Sequence, residues 1–291
     1  MDKKVCVIDG PMSAVENLAR NEACYEAVKG RVFDEIVRIY SFNQKGVILS
    51  KYQHHGDVHE HAWRNQEVTR RKTGGGAVVV DEHTLGYSVF GFLEKVDGSR
   101  DNPTHIPYQR MRSAVIGVLN SFGLDAQEEE QWGVRVGAGI VAGHAQRFEK
   151  GAYEVHGLLR LKKWDMGEVE KALKLRQKVR HAGSHYLVVS DGACDMERVQ
   201  SDIDAQEAEV LRSEYAELES APGLDDAGVS RGVLVERLTA ALSSARVSPY
   251  PPSLITSAKA HEKSYVNQAY VRAGLEAKRY LGHCFVNLED K

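Results

Sequence analysis

Cysteine is scarce in this 291-residue chain: Cys6, Cys24, Cys194 and Cys284 are widely spaced, and none forms a CxxC pair. That excludes a dense disulfide frame or a cysteine zinc site and suits free thiols in a reducing compartment. No run approaches the roughly 18 apolar residues that cross a membrane. Val5–Ile8 is too short for the apolar core of a signal peptide, and no small-residue cleavage site follows it. The expected location is the cytoplasm. An excess of either charge is also missing, since 38 Lys and Arg against 41 Asp and Glu leave a net charge of −3. A chain that lives on nucleic acid shows a basic surplus. There is no GxGxxG after a strand and no GxxxxGK[ST], which sets aside the two commonest nucleotide folds.

What remains is an ordinary globular composition, 42% hydrophobic and 27% charged, long enough for a sizeable core. Helical spacing covers Met12–Lys29, with Ser13 as cap, Gly30 as stop, and Ala14, Leu18, Ala23 and Ala27 on one face. Glu35–Tyr40 and Gly46–Tyr52 read as strands paired with each other. Val68–Arg71 leads into Gly74-Gly75-Gly76, after which Ala77–Val80 and Tyr87–Phe92 resume as strands. Pro107–Phe122 carries a helical stripe of Met111, Val115, Val118 and Leu119. Gly133–Val141 and Ala152–Leu161 follow as strands. Asp165–Leu175, Asp195–Leu218, Ser230–Ala245 and Thr256–Tyr265 read as helices, and Cys284–Leu288 as a short final strand. The class is α+β, or mixed α/β, with a strand-rich first two-thirds and a helical last third. Residues 1–248 are expected to form one catalytic domain, and 249–291 a helical tail packed on it.

The segment richest in chemistry is Arg70-Arg71-Lys72-Thr73-Gly74-Gly75-Gly76-Ala77-Val78. Consecutive glycines can turn successive N–H groups toward an anion and let a ligand lie against the backbone. Arginine can add a bidentate contact to phosphate or carboxylate. A plain glycine turn with solvated charges fits the spacing equally well.

Ordered segments add to that loop. They are Asn17-Leu18-Ala19 with Glu22; Arg38-Ile39-Tyr40; Gly46 to Gln53; Asp81 with Tyr87-Ser88-Val89; Ala142-Gly143-His144-Ala145-Gln146-Arg147; and His156-Gly157-Leu158-Leu159. Together, over about residues 13–270, they resemble the lipoate–protein ligase and octanoyltransferase family, within the biotin/lipoate ligase superfamily. The resemblance implies a mixed β-sheet packed with helices. Arg70, Arg71, Thr73, Gly74, Gly75, Gly76 and Ala77 would lie against an acyl chain and an adenylate phosphate. Gly143, Ala145 and Gln146 would face the ligand carbonyl, and His156 and Gly157 would line the pocket. The implied activity uses ATP and Mg2+ to activate lipoate or octanoate as an acyl-adenylate. The acyl group then passes to a lysine on a lipoyl acceptor domain of a 2-oxoacid dehydrogenase or on the glycine cleavage H protein.

The chain departs from that family at two places. The family's lysine ahead of the Ala-Gly-x-Ala-Gln element is Ile140 here, with Lys72 or Lys150 as candidate substitutes. The family's Asn-Asp pair is replaced by Glu129-Glu130-Gln131-Trp132-Gly133, where no cysteine nucleophile stands either. These departures leave open a lipoyl-binding pseudoenzyme, an ATP-independent octanoyl or lipoyl transferase, and an accessory chain that supplies missing groups. No metal ligand is assigned. The dense His54, His55, His59 and His61 could bind zinc or copper, and Glu128-Glu129-Glu130 magnesium, but solvated loops are the expected reading of both.

Overall fold

In the computed structural model, the described residues are 3–51, 53, 55–93, 105–129, 133–174, 176–180, 186–190, 209–213 and 219–266. Strand β1 (Lys4–Met12), helix α1 (Ala14–Lys29) and strand β2 (Glu35–Phe42) make a crossover that sets β1 parallel to β2. Ser13 and Glu16 form a reciprocal capping box at the start of α1, so two otherwise orphaned N–H donors are satisfied. The Glu67 carboxylate adds bonds from Ala14 N at 2.6 Å and Val15 N at 3.2 Å, placing negative charge at the positive end of the helix dipole. Gly30 does end α1, but with an ordinary φ of −79°. The left-handed turn falls on Arg31, at φ 61°, with Arg31 N and Val32 N donating back to Val28 O and Ala27 O.

The main sheet has seven strands in the order β1-β2-β6-β10-β9-β8-β7. It adds β6 (Thr84–Phe92), β7 (Ala126–Glu129), β8 (Gly133–Val136), β9 (Gly139–Glu149) and β10 (Ala152–Arg160). The expected single strand Gly133–Val141 is two strands, folded back at Gly137, whose φ of 60° suits glycine. The expected pairing of Glu35–Tyr40 with Gly46–Tyr52 does not form. Both edges of β2 are taken by β1 and β6. Strand β3 (Gly46–Leu49) instead centres a separate three-stranded sheet, between β4 (Glu67–Arg70) and β5 (Val78–Val80). Helix α2 (Glu60–Asn65) makes the β3–β4 crossover.

Each face of the main sheet carries a helical layer. Helices α3 (His105–Asn120) and α5 (Arg231–Leu242) bring Met111, Val115, Leu119, Leu234 and Leu238 onto Val37, Tyr87 and Val155. On the opposite face, Cys24, Tyr25 and Val28 of α1 pack with Ile36, Phe90, Tyr250 and Leu254, the last from helix α6 (Pro252–Val266). Each such apolar side chain contributes about 1.5–3 kcal/mol on burial. With cover from both the sheet and α6, α1 is buried on more than the one face its alanines suggest.

Helix α4 (Met166–Ala172), capped by Asp165, follows β10. A third sheet joins β11 (Arg176–Arg180), β12 (Tyr186–Ser190) and β13 (Glu209–Ser213) in the order β12-β11-β13. Within the expected helix Asp195–Leu218, Glu209–Ser213 is therefore a strand, held by pairing with β11. The remainder of that stretch, and Cys284–Leu288, lie outside the described residues. Among the described residues, no helix is long and apolar enough to cross a membrane.

Candidate functional site

Cross-strand register puts Gly143, Ala145 and Arg147 of β9 on the same face as Leu158, His156 and Glu154 of β10. The glycine loop lies over this face and is held from several directions. Lys51 N donates to Thr73 O at 2.8 Å, and Thr73 Oγ1 and His156 Nε2 share a 2.7 Å hydrogen bond. Buried Arg71 donates to Gly74 O and Gly76 O, each at 2.7 Å, and to Ile48 O at 3.3 Å. Burial, outweighing nearby Tyr40 and Glu154, lowers its guanidinium to about 10, which still leaves it charged at neutral pH. Gly75 is required twice over: its φ is 93°, and a Cβ there would meet an Arg71 nitrogen at 3.0 Å.

Between loop and sheet lies a cavity of about 590 Å³, a size common for small-molecule sites, which run from about 300 to 1,000 Å³. Its walls include the expected Arg71, Gly74, Gly75, Gly76, Ala77, Gly143, Ala145, Gln146 and His156, and also Ile140. At Gly74, Gly76 and Gly143 a Cβ would meet nothing within 4 Å. No packing demand explains glycine at these three cavity-lining positions. A side chain there would take up ligand space.

Several expected residues lie elsewhere. Arg70 is buried, and its Nη1 donates to Ser50 O at 2.5 Å and Gln53 O at 2.7 Å, so it supports the β3–β4 sheet and does not line the cavity. Thr73 faces His156 beside a smaller hollow. Gly157 sits on the opposite sheet face, where the Tyr87 ring fills the space of a Cβ. Lys72 Nζ is 2.6 Å from the Glu22 carboxylate, also at the smaller hollow. Lys150 is exposed at φ 52°, in the turn between β9 and β10. Neither candidate substitute lysine lines the cavity.

Behind the loop, Arg147 bridges Glu22 at 2.8 Å and Glu154 at 2.6 Å, and Tyr265 Oη donates to Glu22 at 3.3 Å. Burial pushes the Glu22 carboxyl up, but Arg147 and Lys72 outweigh it and hold the group below its usual range. For Glu154 burial wins, and its carboxyl is raised. His156 is driven well below 6.5, first by burial and then by the charges of Arg71 and Arg147, so the imidazole is neutral.

Asn17 and Gln53, from two of the ordered segments, line the walls as well, and so do three residues that the sequence motifs do not single out: Arg160, Trp164 and Lys174. Arg160 pairs with Asp81 and stacks 4.1 Å from the centre of the Trp164 ring. Among the described residues the cavity walls carry three cations, Arg71, Arg160 and Lys174, and no carboxylate. This lining favours an anion with an apolar body.

Among the described residues no group of three or more His, Cys, Asp or Glu could hold a metal ion. His61 is engaged with Asn65, and Glu128 pairs with Arg112 at 2.6 Å. Cys6 and Cys24 are buried in the core, where desolvation raises both thiols, Cys24 to about 12. Cys194 and Cys284 lie outside the described residues.

Comparison with known proteins defines the class. Over 94% of this chain and 97% of the other, the structure superposes on a chain from a study of an archaeal lipoylation system, described as a bi-partite lipoate protein ligase and its E2 lipoyl domain from Thermoplasma acidophilum (TM-score 0.68, 22% identity). A lipoate-protein ligase A bound with ATP gives a TM-score of 0.67 at 20% identity, covering 94% of this chain and 99% of that one. At these identities the likeness establishes the fold. Residues 13–211 match the family model of the lipoyl protein ligase A/B catalytic domain, and the chain belongs to that family. Lipoate–protein ligase 1 of Staphylococcus aureus is 29% identical over 162 residues, which is 55% of this chain and 46% of that protein, under half its length.

Proposed function

We propose that this chain is an ATP-dependent lipoate–protein ligase. The observation that carries the reading is the cavity itself: apolar over much of its wall, bordered by Gly74, Gly76 and Gly143, at which a Cβ would meet nothing within 4 Å, and lined by cations and no carboxylate among the described residues. Lipoate or octanoate would place its chain along Tyr40, Phe42 and Leu158 and its carboxylate toward the glycine loop. A carboxylate oxygen would attack the α-phosphorus of ATP and release pyrophosphate. The acyl-adenylate carbonyl would then be attacked by a lysine amine, releasing AMP. Lipoyl domains of 2-oxoacid dehydrogenases and the glycine cleavage H protein are the acceptor classes this implies. The T. acidophilum relative, named with its E2 lipoyl domain, supports the first. Magnesium would arrive on the triphosphate, since the described residues offer no cluster to hold it.

The test is to incubate the purified protein with ATP, magnesium and lipoate, then add a lipoyl domain. Pyrophosphate release and a lipoyl mass increment on the acceptor are expected. Absence of both, with no lipoate binding by calorimetry, would refute the reading. One observation favours a second reading: Ile140 offers neither charge nor donor at a cavity wall. Tight binding of the adenylate without turnover would identify a lipoyl-binding pseudoenzyme, or a chain completed by a second polypeptide.

A further inference from the structure

We propose that Lys174 supplies the cation that holds the acid end of the ligand, the task for which Ile140 is unsuited. The inference rests on the reading of the cavity as an acyl-adenylate site.

The other cations around the cavity are committed. Arg71 spends its terminal nitrogens on three carbonyls and holds the glycine loop in shape. Arg160 is paired with Asp81 and donates to Lys162 O. Lys72 belongs to the Glu22 cluster and faces the smaller hollow. Lys174 lines the main cavity, is half-buried, and has no acidic partner among the described residues. Its neighbour Lys171 shows the contrast, being 3.0 Å from Glu168 at the exposed surface. An ammonium on a flexible four-carbon stem is a mobile point charge, suited to follow a carboxylate as it becomes a phosphoester.

Its backbone is tied to the parts that carry the loop. Lys174 N donates to Asp57 O at 2.9 Å, and Gln53 Nε2 donates to the Asp57 carboxylate at 2.9 Å. Gln53 O in turn accepts from Arg70, and Lys51, two residues before Gln53, donates its N–H to Thr73 O of the loop. Gln53 and Lys174 both line the cavity. This chain of bonds ties the backbone of Lys174 to the segment that anchors the glycine loop, and both line one cavity, where consecutive glycine N–H groups would add to the attraction for an anion.

The test compares two ligands with the same acyl chain, measured by calorimetry on the full-length protein. One is a non-hydrolysable lipoyl-adenylate carrying an anionic acyl-sulfamate linker, and the other is neutral lipoamide. For Lys174→Ala, adenylate affinity is expected to fall at least tenfold and lipoamide affinity to stay within twofold. Lys174→Arg should keep adenylate binding within about threefold, and Lys174→Gln, which retains much of the stem, should behave like alanine. Raising the salt concentration should weaken adenylate binding more in the wild type than in Lys174→Ala. Unchanged adenylate affinity in the alanine and glutamine variants, or an equal loss for both ligands, would overturn the proposal. Failure of the wild type to bind either ligand would instead refute the acyl-adenylate reading itself.

Discussion

Gly157 offers a sharp division between packing and binding. A Cβ added there lies 2.5 Å from Cζ of Tyr87, and both ring and glycine are enclosed. Tyr87 has little room to retreat, because its hydroxyl shares a 2.8 Å hydrogen bond with His144 Nε2 and its ring meets His144 edge-on at 5.6 Å. Overpacking a core by one methyl costs about 1–3 kcal/mol. Forcing the ring off His144 adds about 0.5–1.5 kcal/mol. Gly157→Ala is therefore expected to lose about 1.5–4.5 kcal/mol in urea unfolding. Tyr87→Phe removes the hydroxyl but not Cζ, so the double variant should lose less than the two single losses added together. Because Gly157 lies on the face away from the cavity, the folded fraction should bind the acyl-adenylate within about twofold of wild type. Unaltered stability, or intact stability with a collapse of binding, would refute this account and return Gly157 to the pocket.

Three further outcomes follow from the site. Arg71→Ala should open the glycine loop and weaken adenylate and neutral lipoamide alike, since it acts on loop shape; a loss confined to the adenylate, measured by calorimetry, would mean direct phosphate contact. His156 stays neutral in the folded state while the unfolded imidazole takes up a proton below its usual 6.5. Its contribution to stability therefore declines as pH falls below that value, by about 1.4 kcal/mol per unit until the folded imidazole also protonates. His156→Asn should flatten the wild-type decline in stability between pH 7 and 5.5, and parallel curves would contradict the assignment. Ile140→Lys should restore most of the adenylate affinity lost in Lys174→Ala while adding little to the wild type. A large gain in the wild-type background, read by the same titration, would show that Lys174 does not supply the cation.

Much of this site was legible in the order of residues. Glycines, small residues and histidine at cavity-lining positions leave local signatures, since each is dictated by close backbone approach or by strand alternation. Ser13 and the alanine-rich helix that follows are local signals as well. What sequence reading missed is decided by distant contacts. That Arg70 faces carbonyls while Arg71 shapes the loop depends on which side of β4 meets β3. Gly157 resembles a pocket residue until the register with Tyr87 is known. Lys174 follows a short helix and carries no motif, and only the docking of α4 beside Asp57 brings it to the cavity. Glu209–Ser213 lies in an alanine- and glutamate-rich stretch of helical character, and strand pairing overrides that preference.

The embrace of α1 by the late chain has a consequence for how the molecule is made. Tyr250 reaches Cys24 at 3.5 Å and Arg20 O at 2.9 Å, Ser248 N donates to Cys6 O, and Tyr265 closes on Glu22 across 243 positions of sequence. Contacts of such long separation form late and slow the search for the native state. During synthesis Cys24, Tyr25 and Val28 have Ile36 and Phe90 of the sheet as early partners, but their cover by Tyr250 and Leu254 waits until residues beyond 250 leave the ribosome. The charged cluster under the glycine loop gains its Tyr265 hydroxyl only in the same late step, so the support behind the loop is among the last parts of the molecule to form.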